Sequence, residues 1–162
     1  NIPYEKLLEM QYLDQVYYEA LRLNPPLTYT TKECSDSYEL DNGKGHKFQM
    51  GKKSAALISI YSLHRDAEYY PHADTFEPER FNVEHGGVKA FKDKCVLLPF
   101  GEGPRICLGI KLANVKVKTA IVEVLRKFEV TVNEEVLKEP KISAKEFLNI
   151  KECNILLNFK KL

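Results

Sequence analysis

Apolar residues recur at helical spacing from the start of the chain. Between Tyr4 and Leu23, the positions Leu7, Met10, Leu13, Val16, Tyr17, Ala20 and Leu21 share a broad face, with a break near Glu9–Gln11. Asn24-Pro25-Pro26 ends that helix, because proline disfavours helical geometry in the residue before it. Short runs rich in Leu, Tyr, Thr and Ile follow at Leu27–Thr31, Tyr38–Leu40, His46–Met50 and Ala55–Ile60. They predict strands around turns, in one small antiparallel sheet. From Arg65 to Pro104 the periodicity lapses in a stretch crowded with Pro and Gly, and a loop of that length in a compact domain reads as functional. A second amphipathic pattern, from about Leu108 to Phe128, predicts a helix whose apolar stripe includes Leu112, Ala113, Ala120, Ile121, Val124 and Leu125. Glu129–Val132 and Asn154–Phe159 predict further strands. The pattern is α+β: two main helices, a small antiparallel sheet and one long loop.

Composition removes several classes of function. The 162 residues carry 24 Lys+Arg against 23 Asp+Glu, a net charge of +1, which argues against a chain built as a whole to coat nucleic acid or an anionic membrane. Mean hydropathy is −0.35, and no apolar run approaches the roughly 20 residues of a transmembrane helix. Gly and Pro number eight each, too few for a disordered or collagen-like chain. The cysteines Cys34, Cys95, Cys107 and Cys153 form no CxxC pair, and His46, His64, His72 and His85 form no HExxH. A zinc ribbon or a thioredoxin-type site is therefore not expected, nor a disulfide-stapled secreted domain. A cysteine with a task here acts singly, as a ligand or a nucleophile.

The chemistry concentrates in Phe100-Gly101-Glu102-Gly103-Pro104-Arg105-Ile106-Cys107-Leu108-Gly109. The glycines and proline force a tight turn that approaches something closely. Cys107 falls at the mouth of the second helix, where peptide N–H groups favour a thiolate. Arg105 adds positive charge suited to a carboxylate, Gly109 leaves room for a flat group, and Phe100 offers an apolar wall. These parts describe a thiolate ligand for a large planar metal cofactor. An inert buried cysteine is the plainer alternative, and a cysteine nucleophile needs a histidine base that the loop does not contain.

This segment resembles the haem-binding loop of cytochromes P450, Phe-x-x-Gly-x-Arg-x-Cys-x-Gly, with Phe100, Gly103, Arg105, Cys107 and Gly109 in the five fixed places. Glu19-Ala20-Leu21-Arg22 matches that family's Glu-x-x-Arg, and Phe76-Glu77-Pro78-Glu79-Arg80-Phe81 resembles its Pro-Glu-Arg-Phe loop. The style of the cysteine loop is most similar to animal microsomal members, especially insect ones linked to foreign-compound metabolism. The resemblance implies that Cys107 is the axial ligand of haem b and that Arg105, with Lys32, pairs with its propionates. It implies contact of Phe100, Gly101, Gly103 and Gly109 with the haem, and a structural triad of Glu19, Arg22 and Arg80. Tyr29 and Phe147 are the candidate substrate contacts.

Three departures stand out: Lys32 replaces a common arginine, Lys52-Lys53 a common Lys-Gly turn, and Ala67 a frequent proline. Residues 1–162 are then expected to form the C-terminal portion of the mainly-α P450 fold, with the oxygen-activating helix and any membrane anchor upstream. The implied activity is monooxygenation of an apolar small molecule, with electrons from NADPH through cytochrome P450 reductase and optionally cytochrome b5, at the endoplasmic reticulum membrane. The isolated piece is expected to bind haem poorly. A haem-thiolate isomerase and a truncated, non-catalytic binding product are the rivals. Between Lys89 and Lys127, nine basic residues face three acidic ones, a local charge of +6 around the cysteine loop. Complementary charge there would steer an acidic reductase, whereas nucleic acid would need stacking aromatics that the helix lacks.

Overall fold

The computed structural model describes residues 2–133, 148 and 156–162. The first helical pattern becomes two helices, α1 (Tyr4–Leu8) and α2 (Gln11–Leu23), broken where the sequence places the break. Helix α2 stops at Asn24, whose N–H still reaches the Ala20 carbonyl, and Pro25 cannot extend the ladder. The strands are β1 (Tyr29–Glu33), β2 (Tyr38–Asp41), β3 (Lys47–Met50) and β4 (Ala55–Ser59), followed by the single turn of α3 (Ile60–Leu63). The Ser59 hydroxyl caps α3 by accepting from the Ser62 N–H.

The expectation of one small sheet is corrected here. Among the described residues the strands form three separate two-stranded antiparallel ribbons, β1 with β4, β2 with β3, and β5 (Phe128–Val132) with β6 (Leu157–Lys161). The β2–β3 hairpin is inserted between β1 and β4, so the outer pair closes around it. Its turn of Asp41, Asn42 and Gly43 is held by side-chain oxygens accepting from backbone N–H groups two residues on. The predicted strand at Asn154–Phe159 lies partly outside the described residues, and β6 is described from Leu157.

The long stretch after Arg65 is not all loop. Two 3-10 turns, Pro78–Phe81 and Val83–His85, lead into α4 (Gly87–Asp93). Their apolar residues close the core, where Tyr17 and Tyr18 of α2 meet Tyr70, Phe81, Val96 and Leu97. Tyr70 stacks on Phe91 at 5.2 Å, and Phe81 meets Phe91 edge-on at 5.1 Å.

The second long helix, α5 (Ile110–Leu125), begins and ends inside the predicted bounds. Its faces differ from the simple stripe: Lys118 is buried, while Leu112, Val117 and Leu125 are exposed. The Lys118 ammonium reaches Asp14 at 2.6 Å and the Leu7 carbonyl at 3.1 Å, so one cation ties α5 to both α1 and α2. Burial of a lysine is tolerated because its charge is paired and its amine hydrogen-bonded.

Candidate functional site

Helix α2 carries the anchor from which the site is built. Glu19 and Arg22 are three residues apart on one helical face, and both are completely buried. Arg22 Nε and Nη2 donate to the two Glu19 carboxylate oxygens at 2.7 and 2.8 Å, a bidentate fork. Its remaining N–H groups reach the carbonyls of His64, Ala73 and Thr75 at 2.7, 2.7 and 3.2 Å. Arg80 Nε and the Glu77 backbone N–H both donate to Glu19 Oε1, at 3.1 and 2.8 Å. Glu19, Arg22 and Arg80 thus meet in one network, which pins residues 64–80 to α2. Burial by itself pushes the Glu19 carboxyl up. Hydrogen bonds from Arg22 and the Glu77 N–H, the Arg22 charge and Arg80 more than offset this and hold it below its ordinary value.

From this anchor the chain runs through buried Val96, Leu97 and Leu98 into the cysteine loop. Two buried side chains grip it: Tyr70 Oη donates to the Val96 carbonyl at 2.9 Å, and His64 Nε2 accepts from the Leu98 N–H at 2.8 Å. The loop then folds on itself. Gly101 N–H donates to Leu98 at 3.1 Å, Ile106 N–H to Gly103 at 3.0 Å, and Cys107 N–H to Phe100 at 3.0 Å. Gly101 and Gly103 have φ of +72° and +82°, the left-handed region that side chains disfavour, and nothing lies within 4 Å of a Cβ built at either. The tight turn inferred from these glycines is therefore a backbone requirement facing open space.

Cys107 is exposed, which sets aside the reading of an inert buried cysteine. It precedes α5 by three residues, and Gly109 caps that helix. A Cβ at Gly109 would touch Cys107 Sγ at 3.7 Å, so the bare glycine leaves the sulfur uncrowded. The loop, the start of β1 and the end of β4 enclose an open concavity of about 500 Å³. Lys32, Arg105 and Cys107 line it together with Phe100 and Gly101, among apolar walls that include Leu27, Ile58, Ile60, Leu98 and Pro99.

Strand geometry decides which predicted residues reach this concavity. Thr30 and Lys32 are two apart on β1 and so face one side of the ribbon, with Ile58 of β4 opposite Thr30 on that side and Ile60 following at the start of α3. Tyr29 is one residue out of phase; it pairs with Ser59 and is not among the residues lining the concavity. Phe147 lies outside the described residues. Gly103 and Gly109 shape the loop without lining the hollow. The sequence reading missed Ile58, Ile60 and Cys95 as lining residues; the spacing of the two isoleucines opposite Thr30 is the signal that could have found them. It also missed His64, which no spacing rule marks.

A larger hollow of about 740 Å³ lies between α1, α2, α4 and α5. It lacks Cys107, and its buried cation, Lys118, is already paired with Asp14. The smaller concavity is the one that Cys107 lines. Of the basic residues around the loop, Lys89, Lys118, Arg126 and Lys127 have acidic partners, while Lys94, Arg105, Lys111 and Lys116 have none among the described residues.

The exposed Cys107 thus sits on a glycine turn that buried polar bonds anchor to the Glu19–Arg22–Arg80 network. The chain belongs to the cytochrome P450 family, whose family model matches residues 1–158. It is 37% identical over 139 residues to probable cytochrome P450 28a5 of Drosophila melanogaster, covering 86% of this chain and 27% of that protein. Cytochrome P450 9e2 of Blattella germanica is 37% identical over 148 residues, covering 91% and 27%. Cytochrome P450 3A31 of Mesocricetus auratus is 35% identical over 153 residues, covering 94% and 29%. The likeness to insect members is as expected, and the chain spans between a quarter and a third of the length of these curated relatives.

Proposed function

We propose that these residues are the cysteine-ligand portion of a haem-thiolate monooxygenase acting on an apolar organic substrate. One observation carries the reading: an exposed Cys107 shares a single open concavity with two exposed cations, Lys32 and Arg105, and with apolar walls. That donor set fits an iron porphyrin, since a thiolate suits the metal, two cations suit its two propionates, and carbon-rich walls suit its ring. Cys107 would hold the iron, and Arg105 and Lys32 the propionates. Lysine keeps the charge at position 32 but gives up the bidentate fork that an arginine offers. Bound there, haem supplies the redox chemistry by which one atom of O2 enters the substrate and the other leaves as water.

The rest is the work of the chain. Leu98, Pro99 and Phe100 give the concavity that Cys107 lines an apolar wall. The buried network behind them keeps the loop from shifting when the ligand bond forms, because it ties the loop to α2. Lys94, Lys111 and Lys116 leave positive charge near the loop, which supports docking of an acidic flavoprotein that passes on electrons from NADPH, or of cytochrome b5. The remainder of the pocket, any membrane anchor and a place at the endoplasmic reticulum belong to the same proposal, on a longer chain.

The test is incorporation of isotopically labelled O2 by the full-length, haem-loaded protein with NADPH and reductase. The proposal expects one labelled oxygen atom in the product and one NADPH consumed for each. Product formed without O2 or NADPH would point to an isomerase, and a protein that takes up no haem would remove both enzyme readings.

A further inference from the structure

We propose that His64 is a positioning residue for the cysteine loop, its Nε2 holding the Leu98 amide and thereby fixing the chain that leads into Phe100 and Cys107. The proposal rests on the reading of Cys107 as the iron ligand. His64 is completely buried, where a polar ring is costly unless both nitrogens are satisfied. Its Nδ1 lies 3.2 Å from the Arg22 carbonyl oxygen, which can only accept, so Nδ1 carries the proton. Nε2 is then the lone-pair nitrogen, and it accepts from the Leu98 N–H at 2.8 Å. Both bonds demand the same tautomer, so the ring has one orientation and one role for each nitrogen.

The neighbouring bonds give this arrangement its reach. Arg22 Nη1 donates to the His64 carbonyl at 2.7 Å, so the histidine is fastened to α2 through its main chain and its ring together. From Leu98 the path continues through the Gly101 N–H to the Leu98 carbonyl, and through the Cys107 N–H to the Phe100 carbonyl. Hydrogen bonds and the short backbone links between them therefore join the Glu19–Arg22 pair to the residue bearing the sulfur. A leucine of similar bulk would fill the space but orphan both the Leu98 N–H and the Arg22 carbonyl. Burial, aided by the facing charges of Arg22 and Arg65 and against the bond to the Arg22 carbonyl, keeps the ring neutral and lowers its pKa to about 4. The acceptor at Nε2 therefore persists across the ordinary pH range.

Three substitutions in the full-length protein separate an acceptor role from simple packing. His64→Gln places an oxygen near the position of Nε2, His64→Asn keeps only a group near Nδ1, and His64→Leu keeps neither. Two readouts are taken: hydrogen exchange of the segment containing the Leu98 amide, which needs no haem, and the fraction of bound haem giving the thiolate-type ferrous–CO absorption band. The Gln variant should stay close to wild type in both. The Asn and Leu variants should speed Leu98 exchange about tenfold or more, as loss of a buried acceptor implies, and lower the thiolate-type fraction severalfold. Gln and Asn variants that behave alike, whether both intact or both unable to fold, would overturn the proposal, because the acceptor would then not be what matters. A wild type without the thiolate-type band overturns the ligand reading alone, and the exchange comparison still decides whether His64 holds the loop.

Discussion

Replacing Arg22 by lysine keeps the charge at the centre of the anchor and removes its geometry. All five guanidinium N–H groups are engaged: two on Glu19 and three on the carbonyls of His64, Ala73 and Thr75. An ammonium has three donors, so at least two of these acceptors lose their bond to a cation that is itself completely buried. Each buried acceptor left unpaired costs about 1–3 kcal/mol, which puts the substitution at about 2–6 kcal/mol. Breaking a buried ion pair outright costs about 3–5 kcal/mol, so a value near 4 kcal/mol is expected. Against the roughly 5–15 kcal/mol that holds a domain together, this is a large fraction.

Urea unfolding of the full-length protein followed by far-ultraviolet circular dichroism measures the effect. The midpoint should fall with little change in slope, and the melting temperature should drop by roughly 8–16 °C. Arg80→Lys should cost less, because Arg80 spends one of its bonds on Glu77, whose carboxylate is half exposed. An Arg22→Lys protein within about 1 kcal/mol of wild type would refute the claim that the fork, and not the charge, carries the anchor.

Three further outcomes follow from the same structure. On acidification the unfolded chain takes a proton on His64 near its ordinary value of 6.5, which the folded chain refuses until about 4, so stability should fall across that window by about 3 kcal/mol. Glu19, lowered in the fold, adds a further loss as pH drops below its ordinary value of 4.5; unfolding at stepped pH measures both, and a flat profile between pH 6.5 and 4 would contradict the histidine's burial. Lys118→Met should cost about 1–3 kcal/mol, less than a fully buried pair, because the Asp14 carboxylate is about one-third exposed and can turn to water; a double-mutant cycle with Asp14→Asn isolates the coupling. Lys53 occupies the third place of the turn from Gly51 to Ser54 with φ of +66°, so Lys53→Gly should raise stability by about 1 kcal/mol, and a loss in thermal unfolding would show that the lysine side chain compensates.

The residues that local chemistry controls were legible in the sequence. The helix ending at Asn24 follows from Pro25, and the meeting of Glu19 with Arg22 follows from helical spacing. The turn at Gly101 and Gly103 follows from their freedom at positive φ. What failed to show depends on partners distant in the chain. Strand pairing is set by long-range register, so four apolar runs gave no warning that β1 would pair with β4 and leave the β2–β3 hairpin separate. The same pairing put Tyr29 out of phase with the concavity and brought in Ile58 and Ile60. Helix α4 is only seven residues long and opens on glycine, too short for periodicity to rise above the surrounding prolines. Lys118 reads as solvent-facing until Asp14 and the Leu7 carbonyl are placed beside it. His64 sits in a loop-like run, and only the fold reveals that both of its ring nitrogens are used.

The central claim is that Cys107 is the ligand, although Cys95 lines the same concavity with an exposed thiol. The decisive measurement is the ferrous–CO absorption spectrum of the full-length, haem-loaded Cys107→Ala and Cys95→Ala proteins beside wild type. The account predicts that wild type and Cys95→Ala share the thiolate-type band and that Cys107→Ala loses it. A band that survives in Cys107→Ala, or disappears in Cys95→Ala, would contradict the assignment.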